Sequence, residues 1–130
     1  MPLTFTPPVS THGRYLVEPG RDADAPLLLG FHGYAEDAET HMARLMTVPG
    51  IDAWLVVSVQ GLHRFYRGRG EHRTPVANWM TRQDRDLLIA DNLRYVAQVV
   101  ASVTREFEPA GPTVFAGFSQ GVPMAFRAAC

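Results

Sequence analysis

The 130-residue chain is 46% apolar and 19% charged, with a formal net charge of −1. That balance describes an ordinary globular domain and excludes the strongly basic or weakly apolar classes, so no nucleic-acid partner is expected. The single cysteine, Cys130, allows no internal disulfide and no cysteine-based metal site. The segment Met1–Pro8 lacks the basic and apolar regions of a signal peptide, and no run approaches the ~20 apolar residues of a membrane span. A cytoplasmic setting is the expectation.

In chain order, the first 13 residues, with three prolines, read as an extended arm, and Arg14–Val17 as a weak strand. Leu27–Phe31 is a short apolar run without alternation, as in a parallel strand covered on both faces. The loop His32-Gly33-Tyr34-Ala35 leads into an acidic stretch and a helix from about Asp37 to Met46. Ala53–Val59 predicts a second buried strand, and residues 60–81 a long loop with an excess of arginine. Asp84 is expected to cap a long helix whose apolar stripe is Ile89, Leu93, Val96, Val100, Val103 and Phe107, ended by Pro109 and Gly111. Thr113–Ala116 predicts a third buried strand, and a helix starts near Gln120 and runs to Cys130. The alternation of strand and helix implies an α/β fold, a three-layer sandwich around a mostly parallel sheet, with function at the carboxyl ends of the strands.

Gly117-Phe118-Ser119-Gln120-Gly121 matches G-x-S-x-G. Three fixed positions recur by chance in roughly 4% of chains this long, given about 7% each for glycine and serine. The setting therefore decides: an apolar strand ends at Gly117 and a helix-compatible segment follows, the strand–turn–helix context of a nucleophile elbow. Pro123 falls in the first helical turn, where its missing N–H costs nothing. Ser119 is accordingly the candidate nucleophile. Acyl transfer also needs two N–H donors facing the developing oxyanion. The backbone N–H of Gln120, after the serine, and of Tyr34, after the Leu27–Phe31 strand, fit those places. His32 reads as a loop histidine bonded to backbone rather than as a base.

With these residues in view, the sequence resembles the phospholipase/carboxylesterase family, which includes the acyl-protein thioesterases. Leu28–Asp37 is similar to that family's "LHGxGD" loop, Gly117–Gly121 to its "GFSQG", and Asn78-Trp79-Met80 to the aromatic step before its long helix. The resemblance runs from about Leu27 to Cys130. Ala35 and Val122 depart from it, each standing where a glycine is usual. It implies a hydrolase of carboxylic esters or thioesters, with a small ester or acyl substrate, an α/β-hydrolase fold and no cofactor.

In that fold the acid and histidine of the triad follow the serine. None of the 11 residues after Ser119 is Asp, Glu or His, and all five histidines precede it. The chain is therefore expected to carry only the N-terminal, nucleophile half of an α/β-hydrolase domain. Roughly 80 to 100 further residues, by usual domain size, would lie in another segment or a second chain. Isolated, residues 1–130 are expected to be inactive and poorly folded, with the last strand an exposed edge.

Some residues stay open. Arg64, Arg67, Arg69, Arg73 and Arg82 face one acid, Glu71, over residues 61–82; they are either a clamp for an anionic group or a solvated loop. Phe65, Tyr66 and Trp79 either line an acyl pocket or pack in the core. Cys130 reads as a small buried residue, and Asp84 and Asp86 as helix-start charges. Three functions compete: a serine esterase or thioesterase, a non-catalytic binding module keeping the fold, and a peptidase or polyester depolymerase sharing the motif.

Overall fold

A computed structural model describes residues 1–130. Its strands are β1 (Arg14–Glu18), β2 (Leu27–Phe31), β3 (Leu55–Gln60), β4 (His63–Arg67), β5 (Thr74–Asn78) and β6 (Val114–Gly117). Its helices are α1 (Ala38–Leu45), α2 (Arg85–Phe107) and α3 (Gly121–Ala129). The main sheet has the order β1-β3-β2-β6. β2 runs parallel to both β3 and β6, and β1 is antiparallel to β3. The mostly parallel sheet and the helix–sheet alternation are as expected from the apolar runs.

The two faces of β2 and β3 explain the layers. Leu27, Leu29 and Phe31, with Leu55, Val57 and Val59, point to one face and meet Val96, Val99 and Val103 of α2 and Met124 and Ala125 of α3. Leu28 and Val56 point to the other and meet Met42 and Leu45 of α1 and Ile51. With both faces covered, alternation has no reason to appear in the sequence. The α2 stripe is rotated by about 60° from the pattern expected, with Asn92, Tyr95, Val96, Val99 and Val103 buried and Leu93, Val100 and Phe107 at its margin. Tyr95 and Asn92 face the core as amphipathic anchors that an apolar count leaves out.

Four expectations are corrected. Residues 60–81 are not one loop: β4 and β5 pair as a separate antiparallel hairpin, His63 with Asn78 through Arg67 with Thr74. Its alternation was concealed because arginines occupy both faces. β6, read as buried from its apolar run, pairs with β2 alone and has Val114 exposed, the open edge expected of the last strand. Cys130 is exposed. Asp84 precedes α2 in a left-handed conformation (φ 54°), and its side chain makes no capping hydrogen bond. Asp37, in contrast, caps α1 by accepting from the Thr40 N–H at 2.8 Å.

Beyond its ladder with β3, the first strand is tied to α2 by one side chain. The Tyr95 hydroxyl lies 2.7 Å from the Arg14 carbonyl and 3.0 Å from the Gln60 carbonyl, and it accepts from the Arg14 N–H at 3.1 Å. Burial pushes its pKa up to about 12, so it remains a neutral donor. Tyr95→Phe is expected to cost about 1–2 kcal/mol, the penalty for unpairing buried backbone groups. Urea unfolding measures this directly, and amide exchange over Arg14–Glu18 should quicken. An unchanged midpoint would show that β1 is held by its ladder alone.

Candidate active site

The candidate site is built at the carboxyl ends of β2 and β6, where a polar loop and a helix start meet. The chain leaves β6 at Gly117 and enters α3 at Gly121, and Ser119 between them has φ 53°. A left-handed conformation is unusual for serine and costs on the order of 1 kcal/mol. Two contacts impose it. The Phe118 N–H donates to the Phe31 carbonyl at 3.1 Å, tying the turn to the end of β2. Gly121 then packs so closely that a Cβ there would lie 2.0 Å from the Phe31 oxygen, and one at Gly117 would lie 2.3 Å from the Gly121 oxygen. Glycine at both positions is a packing requirement. The Ser119 side chain projects on the exposed side of this turn.

The loop after β2 is fixed from several directions. His32 is fully buried. Its Nε2 accepts from the Gly61 N–H at 2.9 Å, so Nδ1 carries the proton and donates to the Gly33 carbonyl at 2.7 Å. Both ring nitrogens are thereby used, and burial holds the pKa below the ordinary range. His32 is a neutral structural group, as its loop position suggested. The Trp79 indole stacks on it, with centroids 5.0 Å apart, and donates to the His32 carbonyl at 2.9 Å. Trp79 is therefore core rather than pocket wall. Ala35 takes φ 60°, the conformation that a glycine would adopt without strain, and its N–H donates to the Ala77 carbonyl at 3.1 Å. The Tyr34 and Gln120 N–H groups take part in no backbone hydrogen bond, which leaves both donors free.

Three side chains that residue-by-residue reading missed lock this loop to the elbow. The Gln120 Oε1 accepts from the Trp79 N–H at 2.9 Å, so the residue after the serine is tied to the segment packed on His32. The Glu36 Oε1 accepts from the Gly33 N–H at 2.7 Å. Arg44 from α1 grips that carboxylate with both arms, at 3.2 and 2.5 Å, and lies 3.8 Å above the Phe118 ring. One guanidinium thus touches both the oxyanion-loop candidate and the residue preceding Ser119. Its sequence signal is only an acid and an arginine eight apart. His41 completes the cluster: its Nδ1 accepts from Arg44 at 2.8 Å, and burial lowers its pKa to about 4.

The sequence matches no protein-family profile and no curated protein. In structure it is similar to a carboxylesterase from Bacillus cereus, at a TM-score of 0.59 and 18% identity over 87% of this chain and 51% of that one. The mixed α/β fold is thus similar to part of a carboxylesterase fold, and the chain spans about half the length of that protein.

The hydrogen bond from Arg44 holds the Glu36 carboxyl below the usual carboxylate range. A depressed folded-state pKa contributes stability that is present above the unfolded value and is lost as pH falls through the folded one. Glu36→Gln should therefore cost about 1–3 kcal/mol at neutral pH. The gap from the natural protein should close on acidification through the Glu36 pKa. Urea unfolding at a series of pH values measures it; a gap constant with pH would assign the loss to shape rather than charge.

Proposed function

We propose that the protein is a serine hydrolase acting on carboxylic esters or thioesters through an acyl-enzyme on Ser119. The observation that carries this reading is the left-handed backbone of Ser119 in a strand–turn–helix whose flanking glycines are sterically compelled. A strained, exposed serine at a helix start carries a conformational cost, and such strained residues cluster at functional sites. The carboxylesterase-like fold supports the same chemistry.

In this mechanism Ser119 Oγ attacks the carbonyl carbon and gives its proton to a base. The carbonyl oxygen becomes an oxyanion, which the Tyr34 and Gln120 N–H groups stabilise. The tetrahedral adduct collapses, the C–O or C–S bond breaks, and the leaving group departs with the proton. Water then attacks the acyl-enzyme and returns Ser119 as the alcohol. Neither fully buried histidine supplies that base. His32 has both nitrogens engaged, and His41 is buried against Arg44. That same shortage favours a second reading, a hydrolase-fold module without turnover.

The two readings separate on short p-nitrophenyl esters and thioesters. The intact protein is expected to hydrolyse them, and Ser119→Ala to abolish the reaction. Tyr34→Pro, which deletes one oxyanion donor, should lower kcat on the order of 100-fold or more, whereas Tyr34→Phe should change it little. Equal activity of Ser119→Ala would refute the nucleophile, and an inert intact protein would favour the non-catalytic module.

A further inference from the structure

The β4–β5 hairpin is packed against the site but takes no part in the chemistry above. Its base is bonded to the oxyanion-loop candidate: Ala35 donates to the Ala77 carbonyl, and Ala77 donates to the Glu36 carbonyl at 2.8 Å. The Phe65 ring meets the Tyr34 ring, with centroids 5.6 Å apart. The hairpin therefore presents one face beside Tyr34, and strand alternation assigns residues to it. His63, Phe65 and Arg67 share that face; Arg64 and Tyr66 point the other way. Arg67 is the next residue on that face beyond Phe65, about 7 Å further along the strand.

The charge of this hairpin is unbalanced. All 12 basic residues of the chain are arginine. Arg14, Arg21, Arg44, Arg85 and Arg94 are each paired with a carboxylate. None of Arg64, Arg67, Arg69 and Arg73 has such a partner, and Glu71 is the one acid among them. Clustered guanidinium groups without counter-charges repel one another, and the arrangement adds nothing to packing at an exposed tip. Two of the four have local roles on the other face: Arg64 donates to the His12 carbonyl at 3.2 Å, and Arg73 lies 4.3 Å over the Tyr66 ring, with Glu71 bordering the same hollow. Arg67, opposite Thr74 in the ladder, is exposed, without a carboxylate partner, and on the same face as Phe65.

We propose that Arg67 receives a carboxylate at the far end of the acyl chain, so that the preferred substrates are monoesters or monothioesters of dicarboxylic acids. A planar fork of donors suits a carboxylate, and the surrounding arginines supply an attractive field. The proposal rests on the esterase reading, because the scissile carbonyl must lie at Ser119 for Arg67 to face the other end.

The test compares mono-p-nitrophenyl esters of a chain-length series of dicarboxylic acids with neutral p-nitrophenyl esters of equal length, using the intact protein. The anionic esters should be favoured in kcat/KM at one chain length. Arg67→Gln should lower the anionic-to-neutral ratio about 10-fold, and added salt should lower it too. A ratio near one in the natural protein, or one unmoved by Arg67→Gln, would overturn the proposal. Binding of adipate monoamide to Ser119→Ala, followed by calorimetry, separates the two readings. Binding that Arg67→Gln removes supports the anion site even if no ester is cleaved, and no binding at millimolar ligand overturns it. Sedimentation with phosphatidylserine vesicles is the remaining arm. Arginine-dependent vesicle binding without a preference for anionic esters would reassign the hairpin to a membrane surface.

Discussion

The seating of α3 on the carboxyl end of β2 is the contact on which the candidate site depends. No atom beyond a hydrogen fits at Gly121 Cα, because the Phe31 and His32 carbonyl oxygens already occupy the space. This closeness brings the first turn of α3, with its free N–H groups and positive dipole end, against the sheet. The chain must then turn within the residues between Gly117 and Gly121, and the left-handed Ser119 is the consequence. Strand edge, helix start and serine form one mechanical unit.

A buried polar network makes that unit rigid. His32 links Gly33 to Gly61, Trp79 links His32 to Gln120, and Asn92 from α2 donates to the Trp79 carbonyl at 2.9 Å. His32, Trp79 and Asn92 are nearly fully buried and hydrogen-bonded, the condition under which polar groups in a core specify one arrangement rather than weaken it. On the other side of the sheet Glu36 and Arg44 make a second clasp, joining the loop after β2 to Phe118. The two clasps approach the same turn from different layers, so strain at Ser119 is borne by the whole sandwich. The result is an exposed serine on a turn held from two sides, with the Tyr34 and Gln120 N–H groups left without backbone partners.

Much of this was legible in the residues. The Leu27–Phe31 and Ala53–Val59 runs revealed parallel strands because burial on both faces removes alternation. The glycines around Ser119 revealed the elbow because only tight backbone packing requires them both. Less was legible where tertiary contact overrides local pattern. The hairpin was unreadable because its strands carry arginine on both faces, and a separate ribbon beside the sheet buries only part of each. His32 was rightly read as structural, but its partners Gly61 and Trp79 lie 29 and 47 residues away. No spacing rule reaches that far. The same holds for Gln120, whose backbone was marked by the motif and whose side chain was not.

The most direct measurement is a crystal structure of the intact protein after reaction with a p-nitrophenyl phosphonate ester. The phosphonyl group stands in for the tetrahedral adduct of the acylation step. The account predicts a covalent bond from phosphorus to Ser119 Oγ, with one phosphonyl oxygen within hydrogen-bond distance of both the Tyr34 and Gln120 nitrogens. No adduct at Ser119, or an adduct whose oxygen turns away from those two nitrogens, would contradict it.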